Sequence, residues 1–233
     1  MIVSNIKFTL FVSNLNLSKI ENRRAVEDIL AQKGDNYSFN ILAIPEPAPL
    51  EIPRMIGQTQ NGHSQLQIAN NSIILTINFD EKYNTDIEKC FEYSFNKINN
   101  IIEVVKKLST DVNFIGIVIQ YIDDIQNPME FLQQHFVPVK CKQPLCTVSN
   151  TFAVVSKNRY YINISHSNIS IPNKPTLLGI VIDINNRYYF NENGSIGIDD
   201  TIKDIEHIKR MHINIAKSKL KNLFNQELNF DEE

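Results

Sequence analysis

Two adjacent carboxylates, Asp123 and Asp124, end a strongly apolar stretch of the chain, VNFIGIVIQYIDDI. Paired carboxylates at the end of a central strand are typical of metal-dependent hydrolases and nucleases, because they bind a divalent cation that activates water. His166 ends another extended stretch and is the matching candidate for a general base. Asp123, Asp124 and His166 are therefore the candidate catalytic residues.

The same acidic pair also fits a structural role as the polar break between a strand and a helix. Asn14 and Asn16 hold the corresponding place after the first predicted strand. The sequence has no clear P-D followed by acid-x-Lys pattern, no G-x-S-x-G elbow, no Walker loop and no dinucleotide-binding glycine pattern. The catalytic and the structural interpretations of the pair both stay open.

Two cysteines and a histidine form a candidate metal site. Cys141 and Cys146 are separated by four residues and follow His135. A structural zinc site needs four ligands in tetrahedral geometry and usually shows two closely spaced pairs. One loose pair is also what ordinary loop thiols look like. The sequence predicts no cofactor beyond this candidate.

Basic residues gather along the last predicted helix, in the more basic second half of the chain. With two tyrosines they form the candidate nucleic-acid-binding set: Lys209, Arg210, Lys217, Lys219, Lys221, Tyr160 and Tyr188. Cations bind phosphates, and exposed rings stack on bases. The competing interpretation is a solvated helix face, and of two adjacent tyrosines in a strand one points to the core. An isoelectric point near 6.0 also weighs against a polyanion.

The apolar periodicity predicts a strand, a helix, four strands and a long helix in the first half of the chain. The turn pair Asn61-Gly62 suits the left-handed positions of a tight hairpin. These elements are predicted at Ile2 to Val12, Ser18 to Gly34, Tyr37 to Ile44, Met55 to Gln60, Ser64 to Ala69, Ser72 to Phe79, and from a Thr85–Glu88 capping box to Leu108. The proline-rich IPEPAPLEIPR is predicted as an exposed connector or an arm for a partner.

The second half is predicted to repeat this order. Its elements are a strand at Val112 to Ile122, a helix opened by Asn127, strands at Thr151 to Val155, Tyr160 to Ser165, Leu177 to Ile184 and Tyr188 to Phe190, and a final helix opened by Asp199 or Asp200. The sequence thus predicts an α+β fold of two structurally repeated halves, each with strand, helix, four antiparallel strands and long helix. The halves span residues 1–110 and 111–226, and an acidic tail follows at 227–233.

This element order resembles the helix-grip fold, in which a curved sheet wraps one long helix. In duplicated form it resembles the saddle of TATA-box-binding proteins. The resemblance is one of topology over most of the chain and involves no shared motif. It implies a fold and carries no binding residues over to this chain.

A second resemblance lies in the run GQTQNGHSQLQIANNSIILTINFDEKYNTDIEKCFEYSF and the following FIGIVIQYIDDI. It is similar to the central pattern of a sporadically distributed family of uncharacterised bacterial proteins. In that pattern a hairpin with glycine leads to strands with Gln and Asn, an aromatic residue and a Glu open a long helix, and the next strand ends in Tyr. The matching positions are Gly62, Gln67, Asn78, Tyr83, Glu88 and Tyr121. The resemblance implies a fold more than a reaction.

The N-terminus lacks the basic run and cleavage site of a signal peptide, and no window holds the roughly 20 apolar residues of a membrane helix. The chain is therefore predicted to be cytoplasmic, with no membrane partner.

Our first hypothesis is a non-enzymatic binding or assembly protein that engages a protein partner or forms a homo-oligomer. The alternatives are a metal-dependent hydrolase or nuclease using Asp123 and Asp124, and nucleic-acid binding through the basic C-terminal helix. A ligand cavity between the sheet and a long helix is a further option.

Overall fold

The computed structural model describes residues 1–45, 47–108, 111–137, 145–169, 176–187 and 194–217. Within these residues, nine strands form one large antiparallel sheet that four helices accompany. The strands are β1 (Ile2–Val12), β2 (Tyr37–Ile41), β3 (Met55–Thr59), β4 (Ser64–Ile68), β5 (Ser72–Asn78), β6 (Val112–Asp123), β7 (Ser149–Ser156), β8 (Tyr160–Ile169) and β9 (Leu177–Asn185). The helices are α1 (Ile20–Gln32), α2 (Ile87–Leu108), α3 (Pro128–Phe136) and α4 (Ile198–Lys217).

The two longest strands, β1 and β6, lie side by side in the middle of the sheet. The strand order is β2-β3-β4-β5-β1-β6-β9-β8-β7. Ile6 pairs with Ile119 and Leu10 with Ile115, so the apolar residues of both strands meet at the centre. One sheet therefore joins the N-terminal and C-terminal portions of the chain.

The helices pack on one face of the sheet, which we call the covered face. Along β1, Ile6, Phe8 and Leu10 point to this face and are buried, whereas Lys7 and Phe11 point away and are exposed. This is the period-two pattern of a sheet with one buried face. Helix α4 is tied to the sheet by a hydrogen bond from His212 Nε2 to the Ile117 carbonyl of β6, 3.0 Å long. The opposite side of the sheet is called the open face below.

Helix α2 forms because its apolar residues recur at helical spacing and so collect on one side. That side packs Phe91, Phe95, Ile98, Ile102 and Val105 into the core. Full burial of each such side chain stabilises the fold by about 1.5–3 kcal/mol. The N-cap lies one residue later than the predicted Thr85. Asp86 precedes the helix, and its Oδ1 accepts a hydrogen bond from the Lys89 amide at 3.1 Å.

Other predicted boundaries shift for local reasons. Helix α1 begins at Ile20 with Lys19 as its N-cap residue, which makes no side-chain capping bond. Strand β2 ends at Ile41, since the chain then turns into the proline-rich connector. That connector packs back on the sheet, where the Leu50 carbonyl accepts a bond from the Asn70 amide at 3.0 Å. The strand predicted at residues 188–190 lies outside the described residues.

None of the helices in the described parts of the chain combines the length and the apolar character that a membrane span requires.

Candidate functional site

The open face carries one residue from every strand in each of two complete rows. The first row runs through Ser38, Gln58, Gln65, Thr76, Lys7, Val118, Asp183, Asn163 and Ala153. The second runs through Asn40, Ile56, Gln67, Ile74, Thr9, Gly116, Asn185, Tyr161 and Val155. A shorter third row holds Asn78, Asn5, Gln120, Val181, Ser165 and Thr151. The sheet thus presents a continuous surface of amide, hydroxyl and aliphatic groups.

Charge is scarce on this surface. Among these three rows only Lys7 and Asp183 are of the Lys, Arg, Asp or Glu types. The Asp183 carboxylate accepts a hydrogen bond from Asn163 Nδ2 at 3.1 Å and another from Asn185 Nδ2, also at 3.1 Å. Side-chain amides both donate and accept hydrogen bonds, so they match the polar groups of another neutral surface. The described rows of the open face are therefore mainly neutral, polar or aliphatic in character.

One end of the open face contains a cavity of about 550 Å³. Phe11 and Phe114 form its aromatic wall, with ring centroids 5.5 Å apart in an edge-to-face arrangement. Leu50 of the connector and Arg187 also line it. The cavity is therefore a recess at one end of the open face, with an aromatic wall and a partly polar lining.

The structure does not bring the three candidate catalytic residues together. Asp123 is buried, and its Oδ1 lies 3.0 Å from the amino group of Met1, so this carboxylate has a cationic partner. Asp124 is exposed. His166 lies on β8, two strands away from β6, which is roughly 10 Å across the sheet. The described residues contain no group of three His, Cys, Asp or Glu side chains placed to hold a metal ion.

His166 is buried between aromatic rings on the covered face. Its ring stacks with Phe136 of α3 at 5.1 Å and with Phe152 of β7 at 6.1 Å. Burial lowers the pKa of His166 to about 4. The neutral imidazole is thus part of the packing between α3 and the sheet.

His212 is expected to make the fold less stable in acid. Burial lowers its pKa to about 3 from the ordinary value of 6.5. Below pH 6.5 the unfolded chain therefore binds a proton that the folded chain does not, and stability falls as the pH falls. At pH 5 the loss from this residue is about 2 kcal/mol relative to pH 7.

Urea unfolding at pH 7 and pH 5 measures this loss. His212→Gln should reduce the difference between the two pH values by about that amount. His135→Gln, at an exposed position, is the control and should keep the difference. An unchanged difference in the His212 variant would contradict the assignment.

The basic candidates divide between solvent and structure. Lys209 lies with its Nζ 5.1 Å from the centroid of the Phe95 ring, against α2. Arg210 and Lys217 are exposed on α4. Tyr160 is buried on the covered face, so its ring is not available for stacking on a base. Tyr188, Lys219 and Lys221 lie outside the described residues.

The metal candidates are only partly described. Cys141 lies outside the described residues, and Cys146 is an exposed free thiol. The Nδ1 of His135 lies 2.7 Å from the Phe131 carbonyl, one helical turn earlier, and donates to it.

The residues on which the family resemblance rests lie in different parts of the fold. Gly62 and Tyr83 lie close to His63, whose Nδ1 is 3.2 Å from the Asn78 carbonyl and whose ring meets that of Tyr83 edge to face. Gln67 is on the open face, and Tyr121 is fully buried on the covered face. Gly62 has a φ of +73°, which explains the glycine in this hairpin turn.

Two buried polar clusters were missing from the sequence-based prediction. Lys97 of α2 bonds to Asp35, and Asp204 of α4 bonds to Arg159. A charged residue type interrupts the apolar stripe of each helix, Lys97 in α2 and Asp204 in α4, and that irregularity was the available signal. Their partners are distant in sequence, so only the fold identifies them.

No protein-family model matches the chain, and no curated protein matches it either.

Proposed function

We propose that this chain is a non-enzymatic binding or assembly protein that engages a protein partner through the open face of its sheet. The observation that carries the proposal is a nine-strand-wide surface in which Lys7 and Asp183 are the only charged members of the three rows. Antiparallel sheets often leave one face in water, and the residues on that face are usually polar. A polar but uncharged face matches the composition of interface cores, which are depleted of charge.

The dimensions of the open face support a protein as the partner. Eight strand spacings of about 4.8 Å give a width of about 38 Å. Two complete rows and a third row over six strands, each about 7 Å high, give an area of roughly 700 Å². A stable protein interface buries about this area on each partner. Self-association through the same face is the second form of the proposal.

Nucleic-acid binding and hydrolysis remain alternative hypotheses with less support. A polyanion is held by clusters of Lys and Arg, and the three rows of the open face contain only Lys7. The basic residues of α4 lie on the other side of the sheet, where Lys209 packs against Phe95. A hydrolase would need further groups beside Asp123, which already pairs with the Met1 amine.

We also propose that the chain consists of two structurally repeated halves of helix-grip type, residues 1–110 and 111–226. The order β3-β4-β5-β1 in the first part matches β7-β8-β9-β6 in the second, each read toward the centre of the sheet. Strand β2 lies outside β3 at the edge and has no counterpart among the described strands. In each part a helix follows the central strand, and a long helix follows the last described strand.

We further propose that the protein is located in the cytoplasm, because Cys90 and Cys146 are free thiols and cytosolic thiols are kept reduced.

Adding a charge to the open face should abolish partner binding. Gln65→Lys and Val118→Lys each place an ammonium in the middle of the face, where a partner would bury it unpaired. Each variant should lower the amount of partner captured from native extract at least about tenfold, since an unpaired buried charge costs more than about 1.4 kcal/mol. Capture should be similar at low and high salt, because the face is neutral.

Asn99→Lys and Asn214→Lys are matched controls, since they add the same charge at exposed positions on the helices. They should capture as much partner as the unmodified chain. Equal capture by all four variants would refute the open face as the binding surface. Capture that disappears at high salt and after nuclease treatment would favour nucleic acid instead.

A further inference from the structure

A second concave site lies on the other side of the molecule, at the start of α2. It is a cavity of about 410 Å³ between the β3–β4 turn, the segment after β5 and the first turns of α2. We call it the aromatic pocket. Its lining residues are Asn61, His63, Phe79, Tyr83, Lys89, Cys90 and Tyr93. The volume falls in the range of small-molecule sites.

Four rings form the walls of the aromatic pocket. His63 and Tyr83 meet edge to face, with ring centroids 6.1 Å apart and an interplanar angle of 81°. Phe79 and Tyr93 meet in the same way at 6.3 Å and 74°. Tyr83 is 45 % exposed, so it stands at the mouth of the pocket. Such a wall offers ring faces and edges to a flat ligand.

The polar groups of the pocket are held in fixed positions. The Tyr93 hydroxyl lies 3.0 Å from Ser64 Oγ, and the Cys90 thiol donates to the Tyr83 carbonyl at 3.4 Å. Burial and the nearby carboxylate of Asp86 raise the pKa of Cys90 to about 11, so the sulfur stays a thiol at neutral pH. The pocket therefore lacks an activated nucleophile and is built for binding.

The charges around the pocket disfavour a cationic ligand. Lys82 lies 5.3 Å from the centroid of the Tyr83 ring, and Lys97 lies 5.0 Å from that of Tyr93, so both rings already carry a cation. Lys89 at the rim is neutralised by Asp86 at 2.7 Å. Lys97 is likewise paired with Asp35, at 2.6 Å. The pocket therefore offers an ion no uncompensated charge to pair with, and an uncharged ligand suits it best.

We propose that the aromatic pocket binds an uncharged planar heteroaromatic molecule of one or two rings. The rings of His63, Phe79, Tyr83 and Tyr93 contact its faces and edges. The Asn61 side chain at the rim contacts its polar edge. This site is separate from the open face and does not depend on the proposed protein partner.

Nuclear magnetic resonance of the ¹⁵N-labelled full chain tests the proposal with adenine, indole and nicotinamide as probes. At least one probe should shift the backbone amides of Asn61, His63, Tyr83 and Lys89, with a dissociation constant of about 1 mM or tighter, as expected for so small a ligand. Cyclohexanol, which is not aromatic, and choline, which is cationic, should bind at least about tenfold more weakly.

Tyr83→Ala should raise the dissociation constant of the bound probe at least about fivefold, because one wall of the pocket is lost. Phe11→Ala removes an equally exposed ring from the open face and should leave probe binding unchanged. The proposal is overturned if none of the three aromatic probes shifts these amides at 10 mM, or if choline binds more tightly than they do. Loss of probe binding leaves partner capture by the open face intact, so the two proposals are tested separately.

Discussion

Replacing Asp204 with alanine is expected to lower the free energy of unfolding by about 3–5 kcal/mol. Asp204 is buried on α4, and its Oδ1 accepts hydrogen bonds from Arg159 Nε and from the Tyr160 hydroxyl, each 2.7 Å long. Its Oδ2 accepts from Arg159 Nη2 and Asn186 Nδ2, each at 2.8 Å. Asn186 in turn accepts from the Ile115 amide of β6. One carboxylate therefore joins α4, the β7–β8 turn and the end of β9.

The cost of this change comes from the donors that it leaves behind. Without the carboxylate, the buried Tyr160 hydroxyl and Asn186 amide lose their acceptor, and the Arg159 guanidinium loses the two hydrogen bonds that it donates to Asp204. Urea unfolding of the variant measures the loss. Asp200→Ala removes an exposed carboxylate from the same helix and should leave the unfolding midpoint nearly unchanged. An Asp204 variant as stable as the Asp200 variant would show that the cluster does not stabilise the fold.

Replacing Lys97 with alanine is expected to cost a similar amount, about 3–5 kcal/mol. The Lys97 ammonium lies 2.6 Å from Asp35 Oδ1, and the side chains of both residues are at most 10 % exposed. It also lies 5.1 Å from the centroid of the Tyr37 ring and 5.0 Å from that of Tyr93. Asn100 donates to Asp35 Oδ2 at 2.8 Å but supplies no charge. Removing the ammonium leaves the Asp35 carboxylate buried without a cation.

A second variant separates the lost charge from the lost volume. Lys97→Met keeps most of the side-chain volume and should still cost several kcal/mol, because the buried Asp35 carboxyl group loses its ammonium partner. Adding Asp35→Leu to Lys97→Met should recover most of the loss, since a buried ion pair is often replaceable by apolar residues. Lys107→Ala, at an exposed position on the same helix, is the control. If Lys97→Met and Lys107→Ala unfold at the same urea concentration, the ion pair contributes little.

Strand positions were largely predictable, because the signal for a strand is local. Strand β1 has the predicted bounds, and β3, β4 and β5 each end one residue earlier than predicted. The alternation of apolar and polar residues marks these strands, and turn residues such as Gly62 end them. Helix starts were less accurate: at α2 both Thr85 and Asp86 are good capping residues, and the sequence does not rank them.

The arrangement of the strands and the buried clusters was not predictable in the same way. The pairing of β1 with β6 joins residues that are far apart in the sequence. Neither strand contains a sequence signal that identifies the other as its neighbour. Lys97 and Asp35 are 62 residues apart, and Asp204 and Arg159 are 45 apart. For the open face, the alternating glutamines of β4 were visible in the sequence. Their alignment with Asn163 and Asn185 requires the order of the strands.

Site-specific photo-cross-linking tests the role of the open face most directly. A photoreactive amino acid placed at Val118 lies in the middle of the face, and one placed at Asn214 lies on the exposed side of α4. After irradiation in native cells, the proposal predicts a discrete protein adduct, larger than the 26.8 kDa chain, from position 118 and none from position 214. Adducts from position 214 alone, or from neither position, would contradict it.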